Sequence, residues 1–265
     1  MLAKTIAVTS GKGGVGKTYC SINLCKEFAR IGKKVLLVDC DFNLSNCAVT
    51  LGVKQERTIL DYYRGIPLEN CINNVGDFDL LVGESGNLGV LNVDKFLPGL
   101  ILDFLPKVSK NYDYIFFDMP AGLDLTILNL TSYCDHRFVV VSSSDLSVTD
   151  AYALIKILGQ KYGVTDHFIL PNMIANSVSI NSLKSKLENI VSQFLDSRIS
   201  FLPQINLVDS HFRQANDGSK LEKISGQKDF YQVVDFFLDQ VNDRPSKIFL
   251  DGGRQDVFFS RLRSS

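Results

Sequence analysis

The sequence predicts an α/β protein in which a mostly parallel, twisted sheet is flanked by helices on both faces. Short apolar runs alternate with longer segments of helical periodicity, which is the order expected of successive βαβ units. The apolar runs are continuous rather than alternating, so the strands are expected to be buried on both faces and covered by helices. A chain of 265 residues can bury a substantial core within one domain.

Six apolar runs are predicted to form strands. In chain order they read TIAVTS, KVLLVD, DLLVG, YIFFD, RFVVV and FILPNMI. Helical periodicity is found at residues 18–31, 94–109, 147–161, 181–196 and 228–241. Gly32 is expected to end the first helix, because glycine readily takes the left-handed conformation common at helix C termini. Ser147, Thr149 or Asp150 is expected to cap the third.

The composition changes near the end of the chain, so residues 1–243 are predicted to form the domain and residues 244–265 a tail. The tail has five Lys or Arg against two Asp, a local charge of +3. On a helix, Phe258, Phe259 and Leu262 would share one side. A short apolar face beside positive charge predicts weak, reversible binding to anionic membrane lipids.

Overall charge and cysteine usage exclude several classes of protein. A net charge of −1 and a pI near 6.3 argue against a globally basic surface, so no specific nucleic-acid partner is expected. The six cysteines form no CxxC pair and no zinc-like spacing, so reduced, mostly buried thiols are expected. The sequence contains no apolar run of the ~18 to 20 residues that cross a bilayer, and a cytoplasmic protein is predicted.

The strongest motif is GKGGVGKT, which follows the first predicted strand and opens the first predicted helix. Glycine-rich loops in this context bind phosphates through main-chain N–H groups and the helix N terminus. Lys17 is expected to contact the β- and γ-phosphates, and Thr18 to offer its hydroxyl to Mg²⁺. The predicted nucleotide-binding residues are Gly11, Gly13, Gly14, Val15, Gly16, Lys17, Thr18 and Tyr19.

Carboxylates are predicted at the ends of two other buried strands. Asp118 in FFDMPAG is the expected residue for the Mg²⁺ site, which Thr18 and Asp39 would complete. In LLVDCDF, Asp39 and Asp41 should lie on one face, because strand side chains repeat every two residues. Asp41 lies further out on the loop, so it is the better candidate to orient or deprotonate an attacking water.

Three segments, GKGGVGKT, VDCDFNLSN and FFDMPAG, resemble the deviant Walker A ATPases of the MinD/ParA family. The resemblance implies a P-loop NTPase fold, ATP and Mg²⁺ as cofactors, and a homodimer in the ATP state. In that family the additional lysine, matched here by Lys12, crosses the dimer interface and contacts the partner's nucleotide. Lys12, Lys17 and Asp41 are therefore the candidate catalytic residues. FILPNMIANS resembles the adenine-recognition segment, with Asn172 as the base-contacting asparagine.

Within the family, SSSDLSVTDAYALIK resembles the flagellar-number regulators of the FlhG type, also called FleN or YlxH. This resemblance implies a switch that binds reversibly to the inner membrane. Whether it is located at a cell pole is left open. Its implied partners are an FlhF-like GTPase, switch-complex proteins or a flagellar transcription factor. Flagellar members often carry an N-terminal DQAxxLR motif for FlhF, whereas here the first predicted strand already begins at Lys4, so stimulation of FlhF is left open.

Two alternatives to the flagellar prediction remain open. NLSN and MPAG also resemble MinD, which implies a division-site regulator with the same membrane mechanism. A ParA-type partitioning ATPase would bind DNA through a basic dimer surface, which the near-neutral charge disfavours.

Overall fold

The computed structural model describes residues 2–41, 46–54, 56–83, 97–207 and 222–241. Within these residues, eight strands form one sheet in the order β3-β4-β2-β5-β1-β6-β7-β8. All neighbouring strands run parallel except the edge pair of β3 and β4, which is antiparallel. The strands are β1 Lys4–Thr9, β2 Val35–Asp39, β3 Ile72–Asn74, β4 Asp79–Leu81, β5 Tyr114–Asp118, β6 His136–Val141, β7 Asp166–Pro171 and β8 Arg198–Phe201.

Helices connect the strands and cover the sheet on both faces. Those in the described residues are α1 Lys17–Arg30, α2 Cys47–Leu51, α3 Ile59–Tyr63, α4 Leu97–Val108, α5 Leu125–Tyr133, α6 Asp145–Tyr162, α7 Ser177–Phe194 and α8 Glu222–Val241, together with a 3-10 turn at Leu68–Asn70. Within the described residues, none of the helices is both long enough and apolar enough to span a bilayer. The predicted α/β architecture is confirmed.

Successive side chains of the central strand β1 point to opposite faces of the sheet, and so they contribute to two separate apolar layers. In β1, Ile6 and Val8 pack into one buried apolar layer and Ala7 into the layer on the opposite face. Every residue of β2 and β5 is buried. Continuous apolar strands therefore mark a sheet covered on both sides, as the sequence predicted.

Aromatic packing fixes α8 against the sheet and α1. The ring of Phe237 lies 4.9 Å from that of Phe138, 5.3 Å from Phe168 and 6.2 Å from Phe28, centroid to centroid. All three contacts are tilted edge-to-face pairs, a geometry that contributes about 0.5–1.5 kcal/mol per pair beyond area burial. This cluster holds α1, whose N terminus carries the candidate site.

Gly32 stops helix α1, as the sequence predicted, because it directly follows the C-cap residue Ile31. Gly32 has φ +82°, its N–H donates to the carbonyl of Ala29 at 2.9 Å, and the N–H of Lys33 donates to that of Phe28 at 3.1 Å. This pair of hydrogen bonds is the Schellman motif, which satisfies the last carbonyls of a helix.

The cap prediction for α6 was wrong by one turn. The helix begins at Asp145, because the hydroxyl of Ser144 accepts the N–H of Ser147 at 3.3 Å. Ser147 is buried inside the first turn, where its hydroxyl accepts the N–H of Ser142 at 3.0 Å. Residues 94–96 of the helix predicted at 94–109 and the predicted tail at 244–265 lie outside the described residues.

Candidate functional site

The glycine-rich loop joins β1 to α1 at the carboxyl edge of the sheet, where β1 lies between β5 and β6. Gly14 and Gly16 have φ of +77° and +86°, a conformation that residues with a side chain rarely take. The hydroxyl of Ser10 donates to the carbonyl of Lys12 at 2.6 Å and so fixes the first turn of the loop. A loop of this shape opening a helix presents main-chain N–H groups to an anion.

Two glycines of the loop are required by close packing from other elements. A Cβ on Gly11 would lie 2.3 Å from the main-chain oxygen of Asp150 in α6. A Cβ on Gly16 would lie 2.4 Å from Nδ2 of Asn172, which follows β7. The loop is therefore held between α6 and the end of β7. Helix α6, which contains the segment VTDAYALIK, therefore packs directly against the phosphate loop.

Asn172 contacts the loop directly. Its Nδ2 donates to the carbonyl of Val15 at 2.8 Å, and the residue is only 2% exposed. Sequence reasoning assigned Asn172 to adenine and missed this contact, because nothing in the local pattern relates residues so far apart in the chain. The adenine contact stays a prediction.

Thr18 and Asp118 meet at the start of α1, as the metal-site prediction requires. The Thr18 hydroxyl donates to Asp118 Oδ2 at 2.7 Å, and the Ser21 hydroxyl donates to Oδ1 at 2.8 Å. Ser21 was missed, although its spacing of three from Thr18 places both on one side of the helix. Burial first and then the charge of Asp39 raise the pKa of Asp118 to about 6, while the two hydroxyls oppose this shift.

Asp39 lies beside Asp118, because the two residues are paired in register on β2 and β5. Asp39 is 1% exposed, and its two oxygens accept the N–H groups of Asp41 and Cys47, each at 3.1 Å. Oxygen donors from Thr18, Asp39 and Asp118 suit Mg²⁺, which prefers hard oxygen ligands and keeps several waters. These are the residues that would hold the ion.

Lys17 faces these carboxylates from the first turn of α1. Burial lowers the pKa of its ammonium, and the charges of Asp118 and Asp41 oppose that shift. Among the described residues, no hydrogen bond or ion pair occupies its Nζ. A half-buried lysine in this position is ready to contact phosphate oxygens.

Asp41 and Lys12 are both half-buried. Strand β2 ends at Asp39, so Asp41 lies in the loop two residues beyond rather than on the strand itself. Lys12 makes no side-chain hydrogen bond or ion pair with any residue that the structure describes.

Cys47 is a neighbour of the site that sequence reasoning did not identify. Its Sγ lies 3.5 Å from Asp118 Oδ2, and the donor atoms of Asp39, Cys47 and Asp118 all lie within 4.8 Å of one another. All three residues are buried.

The parallel sheet, the glycine-rich loop with its two lysines and the adjoining carboxylates define a P-loop nucleotide-binding protein of the deviant Walker A type. Residues 3–167 match the sequence model of a family described as AAA domain. The chain belongs to the MinD/ParA family of P-loop ATPases.

Three relatives share about 30% of their residues with the chain. It is 31% identical to antiactivator FleN of Pseudomonas aeruginosa, over 75% of this chain and 72% of that protein. It is 30% identical to the flagellum site-determining protein YlxH of Helicobacter pylori, over 88% of this chain and 79% of that protein. It is 29% identical to the septum site-determining protein MinD of Bacillus subtilis, over 72% of each chain.

Solved structures of similar fold include two MinD proteins from Pyrococcus species. The cell division ATPase MinD of Pyrococcus furiosus superposes with a TM-score of 0.73 at 22% identity, over 90% of this chain and 100% of that chain. The MinD of Pyrococcus horikoshii, complexed with Mg-ADP, gives a TM-score of 0.72 at 22% identity, over 92% of this chain and 100% of that chain. At this level of identity the likeness supports the fold.

Proposed function

We propose that the protein is an ATP-dependent, dimerising switch ATPase that regulates the number or placement of flagella. The observation that carries the switch mechanism is Lys12, a half-buried lysine of the phosphate loop that has no side-chain partner among the described residues. The flagellar assignment is supported by the similarity to FleN and YlxH, whose names describe flagellar roles.

Each part of the site has a role in ATP hydrolysis under this proposal. Main-chain N–H groups of residues 11–19 bind the phosphates, and Lys17 neutralises charge on the β- and γ-oxygens. Thr18, Asp39 and Asp118 would hold Mg²⁺, which when bound offsets charge that develops on the phosphates. Asp41, outside the buried carboxylate pair, orients the attacking water.

Lys12 makes hydrolysis depend on assembly. A lysine supplied by the second subunit stabilises the charge of phosphoryl transfer only once two ATP-bound chains have met, as arginine fingers do in other P-loop enzymes. The exposed Leu123 and Leu125 follow the strand that carries Asp118, and Leu146 starts α6 beside the loop. These apolar side chains lie on elements adjoining the site and suit a surface that a second copy covers.

The proposed output is regulation through partners at the inner membrane. The candidate partners are an FlhF-like GTPase, switch-complex proteins or a flagellar transcription factor. The tail at 244–265, which lies outside the described residues, would bind anionic lipids, and two tails on a dimer would bind with greater avidity than one. Membrane binding would then follow the nucleotide state.

A second candidate function is division-site regulation of the MinD type. Its support is the 29% identity to Bacillus subtilis MinD. A partitioning ATPase of the ParA type has weaker support, because the chain is near neutral overall.

A pull-down from cells with an ATP-locked variant separates these functions. Recovery of a flagellar GTPase, switch-complex components or a flagellar transcription factor would support the flagellar function. Recovery of MinC-like or MinE-like proteins would support division-site regulation, and ATP-dependent retention of random-sequence DNA would support partitioning. The same beads loaded with nucleotide-free protein are the control, because a switch binds its partner in one nucleotide state.

A further inference from the structure

The carboxyl end of β2, the start of α2 and the end of β5 bring two carboxylates and one thiol together. Cys47 is the first residue of α2, and its N–H donates to Asp39 Oδ2 at 3.1 Å. Its Sγ lies 3.5 Å from Asp118 Oδ2. Among the residues that the structure describes, this is the one group of three such side chains whose donor atoms lie close enough to share an ion.

The spacing of these atoms fits a small tetrahedral ion. With Zn–S of about 2.3 Å and Zn–O of about 2.0 Å, a tetrahedral zinc holds its sulfur and oxygen ligands about 3.5 Å apart. The thiol of Cys47 donates a hydrogen bond to Asp118 Oδ2, and the Sγ–Oδ2 distance of 3.5 Å already equals this separation. Asp39 Oδ2 is close enough that side-chain rotation, rather than a change of the backbone, would complete the set.

Hydrogen bonds from the surrounding residues orient the carboxylates. Ser21 donates to Asp118 Oδ1, and Oδ2, which accepts the Thr18 hydroxyl at 2.7 Å, also lies 3.5 Å from the thiol. The N–H of Asp41 donates to Asp39 Oδ1 at 3.1 Å and so turns Oδ2 toward Cys47. Ligands of protein metal sites are held by outer hydrogen bonds of this kind, and removing such bonds typically weakens metal binding.

The thiol distinguishes this group from a magnesium site. Mg²⁺ takes oxygen ligands and gains nothing from sulfur, whereas a thiolate favours Zn²⁺ and related borderline or soft cations. A buried cysteine between two carboxylates is therefore chemically suited to a different ion from the one that accompanies a nucleotide. The other described cysteines do not belong to any such group.

We propose that Asp39, Cys47 and Asp118 form a binding site for Zn²⁺ or a similar thiophilic divalent cation in the nucleotide-free protein. The thiol proton passes to solvent as the metal–sulfur bond forms, and a water takes the fourth position. This inference does not rest on the proposed flagellar role. It concerns the protein without nucleotide, although Asp39 and Asp118 are also the carboxylates assigned to Mg²⁺.

The test is a Co²⁺ titration of the full chain, without nucleotide and without thiol reductants. Co²⁺ bound through a thiolate gives a near-ultraviolet charge-transfer band, which Zn²⁺ should abolish by displacement. Cys47→Ser keeps the size of the side chain and should lose the band. It should also weaken Zn²⁺ binding by more than about 100-fold, since even changes to outer hydrogen bonds cost 10- to 100-fold. Cys25→Ala removes a buried cysteine of α1 outside the group and should keep both.

Asp39→Asn provides a second variant that leaves the thiol in place and should weaken Zn²⁺ binding without a change in cysteine content. Near-ultraviolet circular dichroism of each variant shows that it is folded before metal is added. A band that survives in folded Cys47→Ser would overturn the proposal. So would folded wild-type protein that gives no thiolate band at saturating Co²⁺.

Discussion

The side-chain amide of Asn172 donates a 2.8 Å hydrogen bond to the main-chain carbonyl of Val15 and so joins the end of β7 to the phosphate loop. The contact is buried, and Gly16 has no room for a side chain beside it. Asn172 thus positions the loop in addition to any contact with a base.

Replacing Asn172 with Asp tests this positioning role. The carboxylate cannot donate to Val15 and leaves a buried carbonyl unpaired, a loss of about 1–3 kcal/mol. We expect nucleotide affinity to fall by roughly 10-fold or more, for ATP and GTP alike. Titration calorimetry with both nucleotides measures the two losses, and Asn189→Asp on the exposed side of α7 is the matched control. A loss confined to ATP would instead assign Asn172 to adenine recognition alone.

Lys12→Ala should leave nucleotide binding largely intact and abolish ATP-dependent dimers. Lys17 still contacts the phosphates, while the charge offered to the second subunit is gone. Partner-supplied cations are worth about 10³-fold or more in phosphoryl transfer, so stimulated hydrolysis should fall on that order. Light scattering with ATP measures dimerisation, and Lys26→Ala on the exposed side of α1 is the control. Normal dimers in Lys12→Ala would make Lys12 an ordinary loop lysine.

Asp41→Ala should trap the ATP-bound dimer. The ligands Thr18 and Asp118 remain, but the attacking water loses its orienting carboxylate, which costs roughly 10²- to 10⁴-fold in rate. Phosphate release under single-turnover conditions measures the rate, and Asp77→Ala, an exposed aspartate near the sheet edge, is the control. Wild-type turnover in Asp41→Ala would show that Asp41 does not orient the water, and Asp39 would become the candidate for that role.

Much of the site follows from local sequence, because its signals lie within short segments. The phosphate loop is contiguous, and Asp39 and Asp118 end strands that are recognisable as continuous apolar runs. Their pairing in register could be expected once both strands were placed in one parallel sheet. The role of the additional lysine, Lys12, could be predicted only through the family resemblance, because a single lysine in a loop forms no local pattern.

Other features depend on contacts that no local pattern encodes. The hydrogen bond from Asn172 to Val15 spans 157 positions, and the approach of Cys47 to Asp118 spans 71. Helix α5 was not predicted, because its nine residues are apolar on several sides and lack a clear 3.6-residue stripe. The edge strand β3 has three residues, too few for an alternating pattern to show.

Removal of residues 254–265 should separate membrane binding from chemistry. With ATP, the full chain should sediment with anionic liposomes, because two short amphipathic segments on one dimer bind with greater avidity than one. The truncated chain should stay in the supernatant with its ATPase rate unchanged, while neutral liposomes are the control for charge. Equal sedimentation of the truncated chain would exclude the tail as the anchor.

Acid should destabilise the fold through His167, a residue of β7 that is 2% exposed. Within the described residues, neither ring nitrogen makes a hydrogen bond of normal geometry. Burial and the neighbouring charge of Arg137 lower the pKa of His167 to about 4, against a weaker opposing effect of the Val164 carbonyl and Asp166.

The direction of this pH dependence follows from which state of the protein, unfolded or native, is protonated at the higher pH. The unfolded chain takes up the proton below about pH 6.5, whereas the native protein does so only near pH 4, so stability falls as the pH drops through this window and is unaffected above it. The full loss is about 3 kcal/mol. Chemical unfolding of wild type and His167→Leu at pH 7, 5.5 and 4 measures it, because carboxylates common to both proteins cancel in the difference. We expect the variant to gain stability relative to wild type as the pH falls, and a difference that stays constant from pH 7 to 4 would show that His167 is protonated equally in both states.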